Sequence, residues 1–177
     1  MKVAVVLGTS KTDGNTRHLV NKFVEMTNAT VFDLADYQLS YYDYLHENRS
    51  DDFIPLIRML TTYDHIVFAS PVYWYSMSAQ LKVFFDRLSD LLTIEKPLGR
   101  QLKGKEISVI STGYNHELPG CFIEPFKLTA RYMQLEFRGF AYLPVSEEED
   151  LGRARAIAEW FSAVSYTHLR AHETHEN

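Results

Sequence analysis

Apolar positions follow two distinct rhythms along this chain. Residues 3–7, 66–69 and 107–110 are short, β-branched-rich runs without polar alternation. Runs of that kind suit strands buried on both faces, as in a parallel sheet. Residues 30–34 and 135–143 are weaker candidates of the same type. Between them the spacing changes to that of a helix. Leu19, Val20, Phe23 and Val24 form one stripe, and Leu81, Phe84, Phe85, Leu88 and Leu91 another. On the second, Lys82 and Asp86 stand four apart as a surface pair. Residues 54–60 and 122–132 supply two further helices. Leu151, Ala154, Ile157, Phe161 and Val164 form the last stripe, with Ser146 and Glu149 as its capping box.

The order is therefore strand and helix in alternation, five times over. Right-handed crossovers turn it into an open, doubly wound α/β parallel sheet with helices on both faces. Such sheets bind their ligands beyond the carboxyl ends of the strands, where the strand order reverses. The loops after the strong strands are thus the places to seek chemistry.

Length and composition narrow the picture. The 177 residues suit one domain, with no internal repeat or Gly/Ser linker to divide them. A net charge of −5 argues against a nucleic-acid partner, which needs a basic face. Cys121 is the single cysteine, so no intrachain disulfide can form and nothing asks for an oxidising compartment. No run approaches the ~20 apolar residues of a membrane span, and the N-terminus lacks a signal-peptide pattern. The expectation is a cytoplasmic protein without a membrane partner or a metal site.

Residues 165–177 break the amphipathic pattern and carry three of the seven histidines. A metal-binding tail, a disordered appendage and a fused non-native sequence are all readings of this segment. It is set apart from a functional domain spanning residues 1–164.

The loop after the first strand, residues 8–16, crowds Thr9, Ser10, Lys11, Thr12, Asp13, Gly14, Asn15 and Thr16 against a helix start. Free backbone N–H groups and a partial positive charge gather there, and small residues let a phosphate approach. The segment reads as a phosphate cradle or as an ordinary turn capped by Asn15 or Asp13. It is neither a Walker A loop nor a Gly-x-Gly-x-x-Gly fingerprint.

The loop after the third strand runs Ser70-Pro71-Val72-Tyr73-Trp74-Tyr75-Ser76-Met77-Ser78. Three consecutive aromatics are costly to leave in water; alternate ones could fold into the core, but not easily all three. A flat aromatic ligand or a second subunit would cover them. Ser111, Thr112, Gly113, Tyr114, Asn115 and His116 follow the fourth strand.

Together, Gly-Thr-Ser-x-x-x-Gly-Asn-Thr at residues 8–16 and Pro-Val-Tyr-Trp-Tyr-Ser-Met-Ser-Ala-Gln-Leu-Lys-x-Phe-x-Asp-Arg at residues 71–87 resemble the NAD(P)H-dependent FMN reductases of the flavodoxin-like superfamily. The resemblance covers about residues 1–164 and is strongest over the first 115. It implies a five-stranded parallel sheet in the order 2-1-3-4-5, FMN across the strand ends, NADH or NADPH as donor, and a homodimer. Carried over by position, Thr9, Ser10, Lys11, Asn15 and Thr16 would hold the phosphate. Pro71, Val72, Tyr73, Trp74 and Met77 would bracket the flavin ring. Ser111, Thr112, Gly113 and Tyr114 would hold its polar rim. Lys11 departs from the arginine common nearby in the family.

The resemblance also implies a mechanism without a catalytic triad, because hydride transfer is chemistry the cofactor performs. The donor would deliver hydride and leave, and a small acceptor would then take its place. Quinones, flavins, nitro- or azo-aromatics and ferric complexes are the candidates. His116 reads either as a solvated loop residue or as a group that steadies developing negative charge. Tyr37, Tyr41, Tyr42 and Tyr44 read as a partner-contact loop or as aromatics packing on their own fold. Cys121 reads as structural, or as a thiol activated at a helix start. Two rivals stand beside the reductase: a flavodoxin that only carries electrons, and a flavin-free interaction protein on the same fold.

Overall fold

In the computed structural model, described residues are 1–145 together with 156, 157, 159 and 161–163. Five parallel strands form one sheet in the order β2-β1-β3-β4-β5. They are β1 (Val3–Leu7), β2 (Thr30–Asp33), β3 (His65–Pro71), β4 (Glu106–Gly113) and β5 (Glu136–Pro144). The helices are α1 (Asn15–Thr27), α2 (Phe53–Leu60), α3 (Ala79–Arg87), α4 (Asp90–Thr93), α5 (Lys96–Arg100) and α6 (Gly120–Met133). This is the flavodoxin-like doubly wound order, with β1 and β3 flanking the point where the winding reverses.

Alternation along each strand builds the two cores. Ala4 and Val6 of β1, Ile66 and Phe68 of β3, and Ile107 and Val109 of β4 face α2, α3 and α6. Val3, Val5 and Leu7, with Val67, Ala69 and Ile110, face α1 and the buried side chains of Ile157 and Phe161. Both faces of the central strands are therefore dry, which is why their sequences read as unbroken apolar runs. The remaining members of the last stripe, the box at Ser146 and Glu149, and residues 165–177 lie outside the described residues.

Two local expectations are corrected. The stripe from Leu81 to Leu91 predicts one helix, but α3 stops at Arg87 and α4 begins at Asp90. Leu88 N–H donates to Phe85 O and Ser89 N–H to Asp86 O, tight i→i−3 bonds that keep Leu88 and Leu91 facing inward while the axis breaks. Neither Asn15 nor Asp13 caps α1. Gly14 takes the N-cap position and no side chain closes it, while Asp13 Oδ1 lies 2.7 Å from His18 Nε2. The surface pair is present, with Lys82 Nζ 2.5 Å from Asp86 Oδ1. No helix among the described residues is long and apolar enough to cross a membrane.

Candidate active site

A chain of buried hydroxyls fixes the loops at the carboxyl end of the sheet. Ser111 Oγ donates to Ser70 O at 2.7 Å. Ser70 Oγ accepts from Ser78 N–H at 2.9 Å, and Ser78 Oγ donates to Gly8 O at 2.8 Å while accepting the N–H of Leu81. Ser78 thus caps α3 and ties it to the loop after β1. Gly8 cannot be larger, because a Cβ there would stand 2.7 Å from Leu81 Cβ. Val72 N–H donates to Thr112 O at 2.8 Å, joining the loops after β3 and β4.

These loops enclose a cleft of 160 Å³. Thr9, Lys11, Asn15 and Thr16 line it from the first loop, Pro71, Val72 and Tyr73 from the second, and Thr112, Gly113 and Tyr114 from the third. The sequence had named all ten. Gly14, which belongs to the loop read as a phosphate cradle, and Val145, which was not anticipated, complete the lining. Gly14 precedes the uncapped helix α1, where a small residue leaves the N–H groups open. Val145 had no local signal, because β5 brings it there through a Val145 N–H to Gly113 O bond of 2.7 Å. Thr16 and Thr112 meet within the lining, their hydroxyls 2.7 Å apart and both residues largely buried.

Five other sequence candidates stand outside this lining. Met77 is buried in the core, and Ser111 is spent on Ser70. Ser10 is exposed and accepts from Gln80 Nε2 at 3.1 Å. Trp74 projects into solvent at the tip of a turn. His116 is exposed and outside the lining.

That turn is a reciprocal pair: Tyr73 N–H donates to Ser76 O at 2.9 Å, and Ser76 N–H returns to Tyr73 O at 3.0 Å. Its two central residues, Trp74 and Tyr75, have φ of 47° and 66°. Two left-handed residues make a type I′ turn, a geometry that favours Asn and Gly. Two bulky aromatics there cost about 1–3 kcal/mol each. None of the three aromatics enters the core, with Tyr73, Trp74 and Tyr75 40%, 93% and 60% exposed. Cys121, on the first turn of α6, is an exposed free thiol whose Sγ lies 3.6 Å from Tyr75 O. It is therefore not a core-packing cysteine.

Away from the cleft, Arg87 is fully buried. Its Nε donates to Asp90 Oδ2 at 2.8 Å, its Nη2 to Asp51 Oδ1 at 3.1 Å and its Nη1 to Ser40 O at 3.0 Å. The guanidinium carbon lies 4.9 Å from the Phe53 ring centroid. Burial pushes the Asp51 carboxyl up, but the Arg87 hydrogen bonds and the N–H groups of Ser40 and Phe53 outweigh it and hold it below its usual range. His46 Nδ1 joins at 3.0 Å from Asp90 Oδ1. Arg87 thereby pins the tyrosine-rich segment. Tyr37 packs on the core, Tyr42 stacks edgewise on Tyr44 at 5.1 Å, and Tyr41 and Tyr44 remain exposed.

The family described as NADPH-dependent FMN reductase matches residues 1–120. The chain belongs to it. Among curated relatives, a putative NAD(P)H-dependent FMN-containing oxidoreductase of Bacillus subtilis is 29% identical over 150 residues, covering 79% of this chain and 83% of that one. A glutathione-regulated potassium-efflux system ancillary protein of Salmonella gallinarum is 32% identical, covering 68% of each. Among solved structures, the Trp repressor binding protein of Bacillus subtilis superposes with a TM-score of 0.70 at 26% identity, covering 93% of this chain and 96% of that one. Membership makes this chain an oxidoreductase that uses FMN and NAD(P)H.

Proposed function

We propose that the cleft after β1, β3 and β4 holds FMN, with its phosphate on the first loop and its ring between the second and third. The observation that carries this reading is the open N-terminus of α1, whose N-cap is Gly14 with no capping side chain. Its N–H groups and partial positive charge are free for an anion, and Lys11 adds a cation on the lining. The residues fit the group in a second respect. A Cβ on Gly113 would stand 2.8 Å from Tyr142 Oη and 3.2 Å from Val72 Cβ, so only glycine leaves this wall its present shape.

Thr9, Lys11, Asn15 and Thr16 would serve the phosphate, with Ser10 beside them on the same loop and turned to Gln80, and Thr112, Gly113 and Tyr114 the polar edge of the ring. Pro71, Val72 and Tyr73 would form the apolar side, with Trp74 beyond them and Met77 and Ser111 supporting the walls from within the core. When bound, FMN supplies the hydride chemistry, taken from NAD(P)H and passed on to an acceptor in alternate turns. The chain's own part is to hold the ring, leave one face open and keep the loops rigid through the Ser70, Ser78 and Ser111 hydroxyls. The exposed wall of Tyr73, Trp74 and Tyr75 favours flat, apolar acceptors such as quinones and nitro- or azo-aromatics. The same exposed rings, with Tyr114 and Tyr41, favour a homodimer as the working form. The need for reduced nicotinamide favours a cytoplasmic site of action.

The experiment is to saturate the purified protein with FMN, remove the excess, and follow the flavin band while NADH or NADPH is added without oxygen. Retained yellow colour with rapid bleaching is expected. Colour without bleaching would replace the reductase with an electron carrier, and failure to retain flavin would overturn the site.

A further inference from the structure

We propose that this chain carries a second ligand site, for a nucleoside bearing two or more phosphates, in the cleft between α4, α5 and the end of α6. The cleft measures 270 Å³. Leu91, Leu92 and Met133 form its apolar floor, Tyr132 offers an exposed ring, and Lys96, Arg100 and Lys103 stand around it. Among the described residues no carboxylate lines it. Among the described residues none of the three cations enters an ion pair or a side-chain hydrogen bond, whereas Lys82, Arg87, Lys127 and Arg138 all do.

The grouping is unfavourable in the empty protein. Lys96 and Arg100 are four residues apart on one short helix, where like charges repel, and Lys103 follows close behind. The whole chain is net −5, so three unopposed cations in one cleft do not follow from its general composition. A spread anion such as a polyphosphate would offset all three, with Arg100 offering a planar pair of donors and the lysines point charges. The flat, half-apolar remainder of the cleft suits a base against Tyr132, Leu92 and Met133.

The walls are set in advance. A Cβ on Gly99 would stand 2.5 Å from Leu91 O, so glycine alone lets α5 lie flush on α4. Gly104 N–H donates to Gln134 O at 2.8 Å and fastens the turn leading to β4 onto the end of α6. All of these residues precede β4 or β5 in the chain, at the amino end of the sheet. The FMN cleft lies at the carboxyl end, roughly 25 Å away along an eight-residue strand. The two sites can therefore be filled together.

Calorimetric titration of ATP, without magnesium, into protein kept in saturating FMN tests the proposal. FMN closes the phosphate cradle on α1 to competition. One saturable site is expected, with pyrophosphate binding more weakly. Arg100→Gln and Lys103→Gln should each weaken ATP about tenfold, the loss of one charge-assisted bond. Tyr132→Ala should weaken ATP while leaving pyrophosphate unchanged. All three side chains are exposed, so the variants fold, and an unchanged melting temperature verifies it. The proposal is overturned if ATP shows no saturable binding, or if its affinity ignores these substitutions. It is equally overturned if sulfate binds as well as ATP and moderate salt abolishes both, which would mark an adventitious ion only.

Discussion

Thr16 at the start of α1 and Thr112 at the end of β4 are 96 residues apart in sequence and share one buried hydrogen bond of 2.7 Å. Each hydroxyl has one proton and two lone pairs, so the pair uses one proton and leaves the other for a ligand. Both residues line the cleft. Thr16→Val strands the hydroxyl of Thr112 and should lower unfolding stability by about 1–2 kcal/mol. Changing both threonines to valine removes the orphan, so the double variant should lose less than the sum of the singles. FMN affinity should fall about tenfold in the double variant, which has no hydroxyl donor left at the cleft, and less in the singles, whose remaining hydroxyl keeps its proton for the ligand. Urea unfolding and flavin titration of the four proteins check both halves. Additive stability losses would deny the pairing, and unchanged FMN affinity would remove these hydroxyls from the site.

The turn at Trp74 and Tyr75 stores strain beside the same cleft. Tyr75→Gly relieves a left-handed aromatic, whose φ of 66° suits glycine. Stability should rise by about 1 kcal/mol, which a thermal melt reads as an increase of a few degrees. If the aromatic turn covers the flavin or a flat acceptor, the same variant should show a higher KM for quinone acceptors. A more stable protein with unaltered kinetics would mean that the turn faces only solvent.

Arg87 makes the prediction with the largest energy. Replacing it with methionine keeps much of its packing on Phe53 but leaves Asp51 and Asp90 buried near each other without their cation. Breaking a buried pair from one side costs about 3–5 kcal/mol. Arg87→Lys should rescue little, since three different guanidinium nitrogens are in use and an ammonium cannot match their spread. Limited proteolysis should then cut first within residues 37–52, the segment that Ser40, His46 and Asp51 anchor to this network. Resistance to cleavage there would show that the segment is held by other contacts.

The main architecture was legible because both faces of the central strands are dry. Val3–Leu7 is β1 residue for residue, and the loops after β1, β3 and β4 meet beyond the carboxyl ends of the strands, as the alternating order of strand and helix requires. Other features depend on distant partners. The break after Arg87 is invisible in a stripe that remains apolar on the same face, because i→i−3 bonding preserves the stripe while ending the helix. Met77 sits within a loop motif yet belongs to the core. Arg87 looks like a surface residue at a helix end until Asp51, thirty-six positions earlier, is brought beside it. His65 is equally opaque, since only the packing of β3 against β4 and Phe161 makes it a buried group.

His65 makes stability fall in mild acid. It is fully buried, with Nε2 2.8 Å from Ser108 Oγ, and burial together with the Arg138 cation lowers its pKa from 6.5 to about 4. Glu106 Oε2 lies 3.1 Å from Nδ1 but at an angle that gives no hydrogen bond, and its carboxylate is already engaged by Arg138 at 2.9 Å. The imidazole is therefore neutral in the folded state. Between pH 6.5 and about 4 the unfolded chain takes up a proton that the folded chain refuses. Unfolding then binds protons, so stability is complete above pH 6.5 and is lost as pH falls toward 4. The loss amounts to about 3 kcal/mol across that window. His65→Gln retains a partner for Ser108 and has no proton to gain, so its stability should stay nearly level over the same range. Urea midpoints at pH 7 and pH 4.5 decide the matter. Equal acid sensitivity in both proteins would assign the effect to other groups. The paired Asp51 carboxyl, already held below its usual value of 3.8, loses its stabilisation only at lower pH and does not obscure the comparison.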